Sequence, residues 1–130
     1  MSLRIEGLVT TPCAFGFAEL AALDEQIDDL SALLPGRVGG AVPVRVLLAR
    51  AGVRPEATRV TVASRVGFFK ADVPLAAAET AVIAYRVGDA PLPQQQGGPL
   101  RFFLPDATSC GLEGVDACAN VKDVGVLRVL

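Results

Sequence analysis

Histidine and tryptophan are absent from the 130 residues, and tyrosine and methionine occur once each. Without histidine, no Ser-His-Asp triad, Cys-His dyad, imidazole general base or histidine-ligated zinc can arise from this chain. Cysteine is scarce as well. Cys13, Cys110 and Cys118 are too few for a disulfide scaffold, and their odd number leaves at least one free thiol unless chains pair. No charge excess of either sign is present: Lys and Arg number 12 against 14 Asp and Glu, a net −2, which argues against a broad nucleic-acid-binding surface. No stretch reaches the roughly 18 uncharged apolar residues that a membrane span needs. Met1–Gly7 shows no basic region followed by an apolar run. The expectation is a soluble protein of a reducing compartment, cytoplasmic, or periplasmic if a leader was removed.

What the chain does have is the material of a core. Hydrophobic residues make up 52% and charged ones 20%, a composition that folds. A chain of this length is expected to form one domain over 1–130, because two separate cores would each be too small. Two breaks interrupt it, at Gly36–Gly40 and at Gly88–Pro99, the latter with three prolines and three glycines. Between them the periodicity is mixed. Leu3–Val9, Thr58–Ala63, Val66–Val73, Ala81–Val87, Leu100–Leu104 and Val124–Leu130 read as about six strands. Phe17–Leu23 reads as a short helix, and Asp24–Leu34 is ambiguous. Pro43 suits the first turn of a helix whose face is Val44, Leu47, Leu48 and Ala51, with Gly52 at its end. Pro74 opens a short Ala-rich helix through Glu79. Strands and helices interleave without a regular βαβ repeat, so the class is α+β, a compact mixed β-sheet domain with short helices.

The most informative run is Ala84–Arg101, AYRVGDAPLPQQQGGPLR. A strand ends at a Gly-Asp turn and a proline-stiffened loop follows. Gly97-Gly98 then permits either a close backbone approach or a positive φ, and Pro99 starts a new strand at a position open to proline. Arg101 stands among Leu100, Phe102, Phe103 and Leu104. An arginine there either snorkels from a sheet edge or holds an anion or carboxylate. The paired carboxylates Asp24-Glu25 and Asp28-Asp29 do not share a face on a helix and so form no acid–base dyad; they read as a solvated rim.

This run resembles the segment AY-x-x-NG-x-PLP-x-x-HGGPLR-x-x-x-P of the sulfite oxidase family, the molybdopterin-binding oxidoreductases. The likeness extends in both directions. Leu3–Leu23 is similar to the family's opening strand and helix, and Val42–Val53 (VPVRVLLARAGV) to its GVPL-x-x-LL-x-x-AGV helix. Val73-Pro74-Leu75 resembles the start of its SLPL helix, and Asn120–Val129 its closing SVKW-x-x-x-I-x-V. The resemblance implies the family's molybdopterin-binding fold, without the second, immunoglobulin-like domain of larger members. It also implies an oxidoreductase domain that binds a molybdenum–pterin cofactor.

The departures bear on chemistry. The family carries a CAGNR-type motif, whose thiolate ligates molybdenum, before the GVPL helix. Here that stretch is Ser31–Gly40, with Leu33-Leu34 where the thiolate belongs and Pro35-Gly36-Arg37 echoing the end of the motif. An alkyl side chain has no lone pair to give a metal. The family's histidine before the glycine pair is Gln96, which keeps hydrogen-bonding capacity but no titratable cation. Its tryptophan after the lysine is Asp123, a negative charge close to where a pterin phosphate would sit and a local partner for Lys122. Residues 105–119 form an apparent insertion carrying Cys110 and Cys118. These two are left as alternative thiolates toward the metal, a zinc pair with Asp106, Glu113 or Asp116, a disulfide, or free thiols.

By resemblance, the cofactor-binding set is Arg101, Lys122, Arg37, Gln96, Gly97 and Gly98, with two or three cations available for a phosphate. Two functions follow. One is a divergent member of the oxidoreductase family with an anion or pterin-phosphate pocket, in which the missing thiolate sets redox activity in question. The other is a non-catalytic binding or scaffold module that kept the fold and lost the cofactor. The partners expected are a small anionic ligand or pterin, with a protein partner or self-association left open, and neither nucleic acid nor membrane.

Overall fold

Apolar and polar residues alternate along four of the strands, and the alternation sorts them onto two faces of one sheet. In the computed structural model, which describes residues 2–32, 39–65, 70–104 and 121–130, this sheet has five strands. They are β1 (Leu3–Gly7), β2 (Cys13–Phe15), β4 (Arg59–Ser64), β5 (Lys70–Pro74) and β9 (Val124–Val129), in the order β2-β1-β9-β4-β5. Leu3 and Ile5, Val60 and Val62, Ala71 and Val73, and Leu127 and Val129 are buried on its inner face. Arg4 and Glu6, Thr61, Lys70 and Asp72, and Arg128 occupy the outer one. The β1–β9 pair is parallel, Arg4 opposite Val126 and Gly7 opposite Val129, while β4 runs antiparallel to both β9 and β5.

A second sheet forms around β6 (Val82–Val87), with β3 (Gly40–Pro43) on one side and β7 (Ala90–Pro91) and β8 (Arg101–Phe103) on the other. β6 has no polar alternation because both its faces are covered. Ile83 and Tyr85 point into the main core, and Val82 and Ala84 into a smaller cluster with Leu30, Ala41, Leu92 and Phe103. Helices α1 (Phe17–Ala21), α2 (Val44–Ala51) and α3 (Leu75–Ala78) are short. The architecture is α+β, as expected from the sequence.

Six expected strands correspond to β1, β4, β5, β6, β8 and β9. The additional strands β2, β3 and β7 have three, four and two residues, too short for a period to register. Gly40, read as part of a break, begins β3. Pro43 ends β3 in extended geometry (φ −68°, ψ 135°) and precedes α2 rather than opening it. The expected α2 face is buried, and Gly52 closes the helix at φ 75°. Residues 66–69 of the expected Val66–Val73 strand lie outside the described residues. Where the sequence was ambiguous, Ile27 bridges to Ala41 and Leu30–Ala32 forms a 3₁₀ turn. Among the described residues, no helix is long and apolar enough to cross a membrane.

Candidate functional site

The loop after β6 is built by local hydrogen bonds. β7 turns back on β6, with Arg86 opposite Pro91. The Leu92 N–H donates to the Tyr85 carbonyl at 3.1 Å. After Pro93 the chain makes a 3₁₀ turn over Gln94–Gln96, and Gly97 leaves it in the left-handed region at φ 87°. The Gly97 N–H donates to Gln94 O and the Gly98 N–H to Pro93 O, each at 3.0 Å. The peptide bond between Gly98 and Pro99 is cis.

The sequence left two reasons open for the glycine pair, and the structure divides them. Gly97 carries the positive φ. Gly98 does not; it carries the close approach, since a Cβ there would stand 1.9 Å from the Leu92 carbonyl oxygen.

This loop is joined to the segment before β9. The Phe102 N–H donates to Val121 O at 2.9 Å, and the Val121 N–H to Phe102 O at 3.1 Å. The Asp123 N–H donates to Gly97 O at 2.8 Å, and the Val124 N–H to Leu100 O at 2.9 Å. Arg101 and Lys122 are thereby brought to one place. A Cβ on Gly97 would lie 2.6 Å from Arg101 Cδ and 3.0 Å from Lys122 Cγ, so both stems pass over the glycine. Arg101 is only 6% exposed, and its guanidinium carbon stacks 4.6 Å from the centre of the Phe103 ring, an arrangement that suits a planar, weakly hydrated cation. Lys122 is exposed. A buried guanidinium and an exposed ammonium whose stems meet over one glycine form a cationic pair suited to a phosphate or sulfate.

Asp123 does not neutralise Lys122. Its carboxylate pairs with Arg65, Nε to Oδ1 at 2.6 Å and Nη2 to Oδ2 at 3.3 Å. Arg65 was missed in the sequence, and no local signal could have found it, because the partners are 58 positions apart. The acidic residues read as a solvated rim are partly engaged as well: Asp28 pairs with Arg86 at 2.9 Å, and Glu25 pairs with Arg45.

Arg37, Cys110 and Cys118, together with Leu33-Leu34 and the expected insertion at 105–119, lie outside the described residues, as does the side chain of Gln96. Among the described residues no three His, Cys, Asp or Glu side chains group to hold a metal. Cys13, on the edge strand β2, lines a separate cleft with Glu19 and Arg50. Burial pushes its thiol pKa up, against the lowering effect of Arg50. Gly97, Arg101 and Lys122 thus lie together, and Cys13 lines a different cleft.

A cleft of about 620 Å³ lies elsewhere, on the outer face of the five-stranded sheet, lined among others by Arg4, Arg65, Lys70, Asp72 and Arg128. Its arginines are already engaged: Arg128 with Glu6 at 2.7 Å, Arg4 with the same carboxylate at 3.8 Å, and Arg65 with Asp123. Volume alone does not make it the chemical site.

Comparisons with known proteins bear on the chain as a whole. Residues 39–113, more than half of the chain, match the family described as "Oxidoreductase molybdopterin binding domain". The match includes Gly97, Gly98 and Arg101; Lys122 lies beyond it. Among solved structures, the chain is similar to one in the sulfane dehydrogenase SoxCD from Paracoccus pantotrophus, with a TM-score of 0.68 and 20% identity. The alignment covers 98% of this chain and 37% of the other, so the likeness is one of fold and spans well under half of that protein. A comparison with curated protein sequences found no match.

Proposed function

Since the chain belongs to the family of oxidoreductase molybdopterin-binding domains, we propose that Arg101 and Lys122, over Gly97, hold the phosphate of a molybdopterin-type cofactor in a divergent site that lacks the usual thiolate ligand. The observation that carries this reading is the meeting of the two cationic stems above one left-handed glycine. Arg101 offers a planar, delocalised cation stacked on the Phe103 ring, a charge that suits a phosphate. Lys122 adds a point charge that can follow the ligand. When bound, such a cofactor supplies electron-transfer chemistry, while the chain supplies binding, orientation and electrostatics.

The metal side of the reading rests on sequence. The chain has no cysteine between Cys13 and Cys110, and the family match begins at residue 39, after the stretch where the cysteine motif belongs. Protein produced in a host that makes the cofactor is therefore expected to carry far less than one molybdenum per chain. Near-stoichiometric molybdenum by elemental analysis would defeat this part and direct attention to Cys110 and Cys118.

The anion site has its own test. A ligand that binds only the folded state stabilises it as its concentration rises. Phosphate at about ten times its dissociation constant is expected to raise the melting temperature by roughly 5 °C beyond chloride at matched ionic strength. The double variant Arg101→Ala, Lys122→Ala should lose that difference. Equal responses of wild type and variant would leave no specific anion site and favour a module that kept the fold without the cofactor.

A further inference from the structure

Asp123 is the one non-glycine residue with positive φ among the described residues, at 51°. Only a few residue types tolerate this region, and aspartate does so at reduced cost. Such a conformation persists where its surroundings hold it, and here every group of the residue is held. Its N–H donates to Gly97 O at 2.8 Å, and its carbonyl accepts the Arg65 N–H at 2.8 Å. Its carboxylate accepts both arms of the Arg65 guanidinium. Arg65 also lies against the start of β9, where a Cβ on Gly125 would stand 2.8 Å from both its Cα and its Cγ.

The ion pair is partly exposed, 44% for the Arg65 side chain and 29% for Asp123. Its two-armed geometry fixes the direction of the Asp123 side chain, and with it the turn that carries Lys122. Its neighbour in the chain is Lys122, whose stem crosses Gly97, the same residue whose carbonyl holds Asp123.

We propose that Arg65 and Asp123 are positioning residues that set Lys122 at the anion site; the inference rests on the reading of Arg101 and Lys122 as that site. The pair acts in two ways. It locks the turn that aims the Lys122 backbone at Gly97. It also occupies the carboxylate that would otherwise draw the neighbouring ammonium away from an incoming phosphate. Among the described residues, Lys122 makes no ion pair.

The chain has two lysines, Lys70 and Lys122, which makes the test direct. Reductive ¹³C-methylation keeps the ammonium charge, and Lys70→Arg and Lys122→Arg assign the two lysine signals apart from that of the terminal amine. Inorganic phosphate is titrated at constant ionic strength into wild type, Arg65→Gln, Arg65→Lys, Asp123→Asn and Asp123→Gly. The Lys122 signal should follow phosphate in the wild type while Lys70 does not. Arg65→Gln and Asp123→Gly should weaken the apparent affinity about tenfold, the scale on which loss of an orienting partner acts at other ligand sites. Asp123→Asn, which keeps the left-handed turn but loses the charge, and Arg65→Lys, which keeps the charge but loses the fork, should fall between. Circular dichroism and melting without phosphate report the fold separately.

Wild-type affinity in Arg65→Gln and Asp123→Gly would overturn the proposal and leave the pair a purely structural contact. A wild-type Lys122 signal indifferent to phosphate would instead overturn the anion site itself, and the positioning role with it.

Discussion

Replacing Gly98 by valine is expected to cost at least about 3 kcal/mol of folding stability, a loss in the range reserved for forced backbone movement. The cause is volume. A Cβ at Gly98 would meet Leu92 O at 1.9 Å, Leu92 C at 2.6 Å and Pro93 O at 2.9 Å, all of them backbone atoms. No side chain can rotate away to make room. The loop is also tied at that point, because the Gly98 N–H donates to Pro93 O, so separating the strands of the loop breaks its own hydrogen bond. The clash begins with the first methyl group, and Gly98→Ala should therefore be nearly as damaging as Gly98→Val. Urea denaturation of both variants checks this. A midpoint within error of wild type, or an alanine variant that is harmless, would show that Leu92 and Gly98 are free to separate.

Replacing Gly97 by valine should act differently. The residue sits at φ 87°, and a β-branched side chain there costs about 1–3 kcal/mol. Its Cβ would strike Arg101 Cδ at 2.6 Å and Lys122 Cγ at 3.0 Å. These are side-chain rather than backbone atoms: the exposed Lys122 stem can yield, the buried Arg101 is forced off its ring, and the two cations are pushed apart. The phosphate-specific rise in melting temperature should disappear. Gly97→Asn separates the two effects: asparagine tolerates the left-handed backbone but still places a Cβ between the stems. It should recover much of the stability and none of the phosphate response. A variant that kept the response would show that the anion, if bound, is not held over Gly97.

The adjacent glycines therefore meet unlike surroundings, backbone at one and the stems of Arg101 and Lys122 at the other. That difference was not readable from Gly97-Gly98 as a dipeptide. Positive φ and close approach both select glycine, and the choice depends on which atoms lie opposite, here Leu92 behind one residue and Arg101 with Lys122 above the other.

Much of the architecture was readable without coordinates, wherever the physical cause is local. Alternation in Leu3–Gly7, Arg59–Ser64 and Lys70–Pro74 marks one buried face, because side chains of a strand point alternately to opposite sides. The spacing of Val44, Leu47, Leu48 and Ala51, closed by Gly52, marks α2 for the same kind of reason. The ordered motifs from Leu3 to Val129, each weak alone, together pointed to the family. What the tertiary structure decided concerns contacts with no local cause. Strands β2, β3 and β7 exist because partners elsewhere accept their hydrogen bonds, and segments of two to four residues carry no period of their own. Asp123 illustrates the point at the site. Adjacency in the chain suggested Lys122 as its partner, but a left-handed turn directs its carboxylate to Arg65, 58 positions away. Lys122 is left to meet Arg101 over Gly97 because the main chain at Val121–Val124 is hydrogen-bonded to Gly97, Leu100 and Phe102. Backbone direction, which only the assembled sheets determine, chose which charges meet.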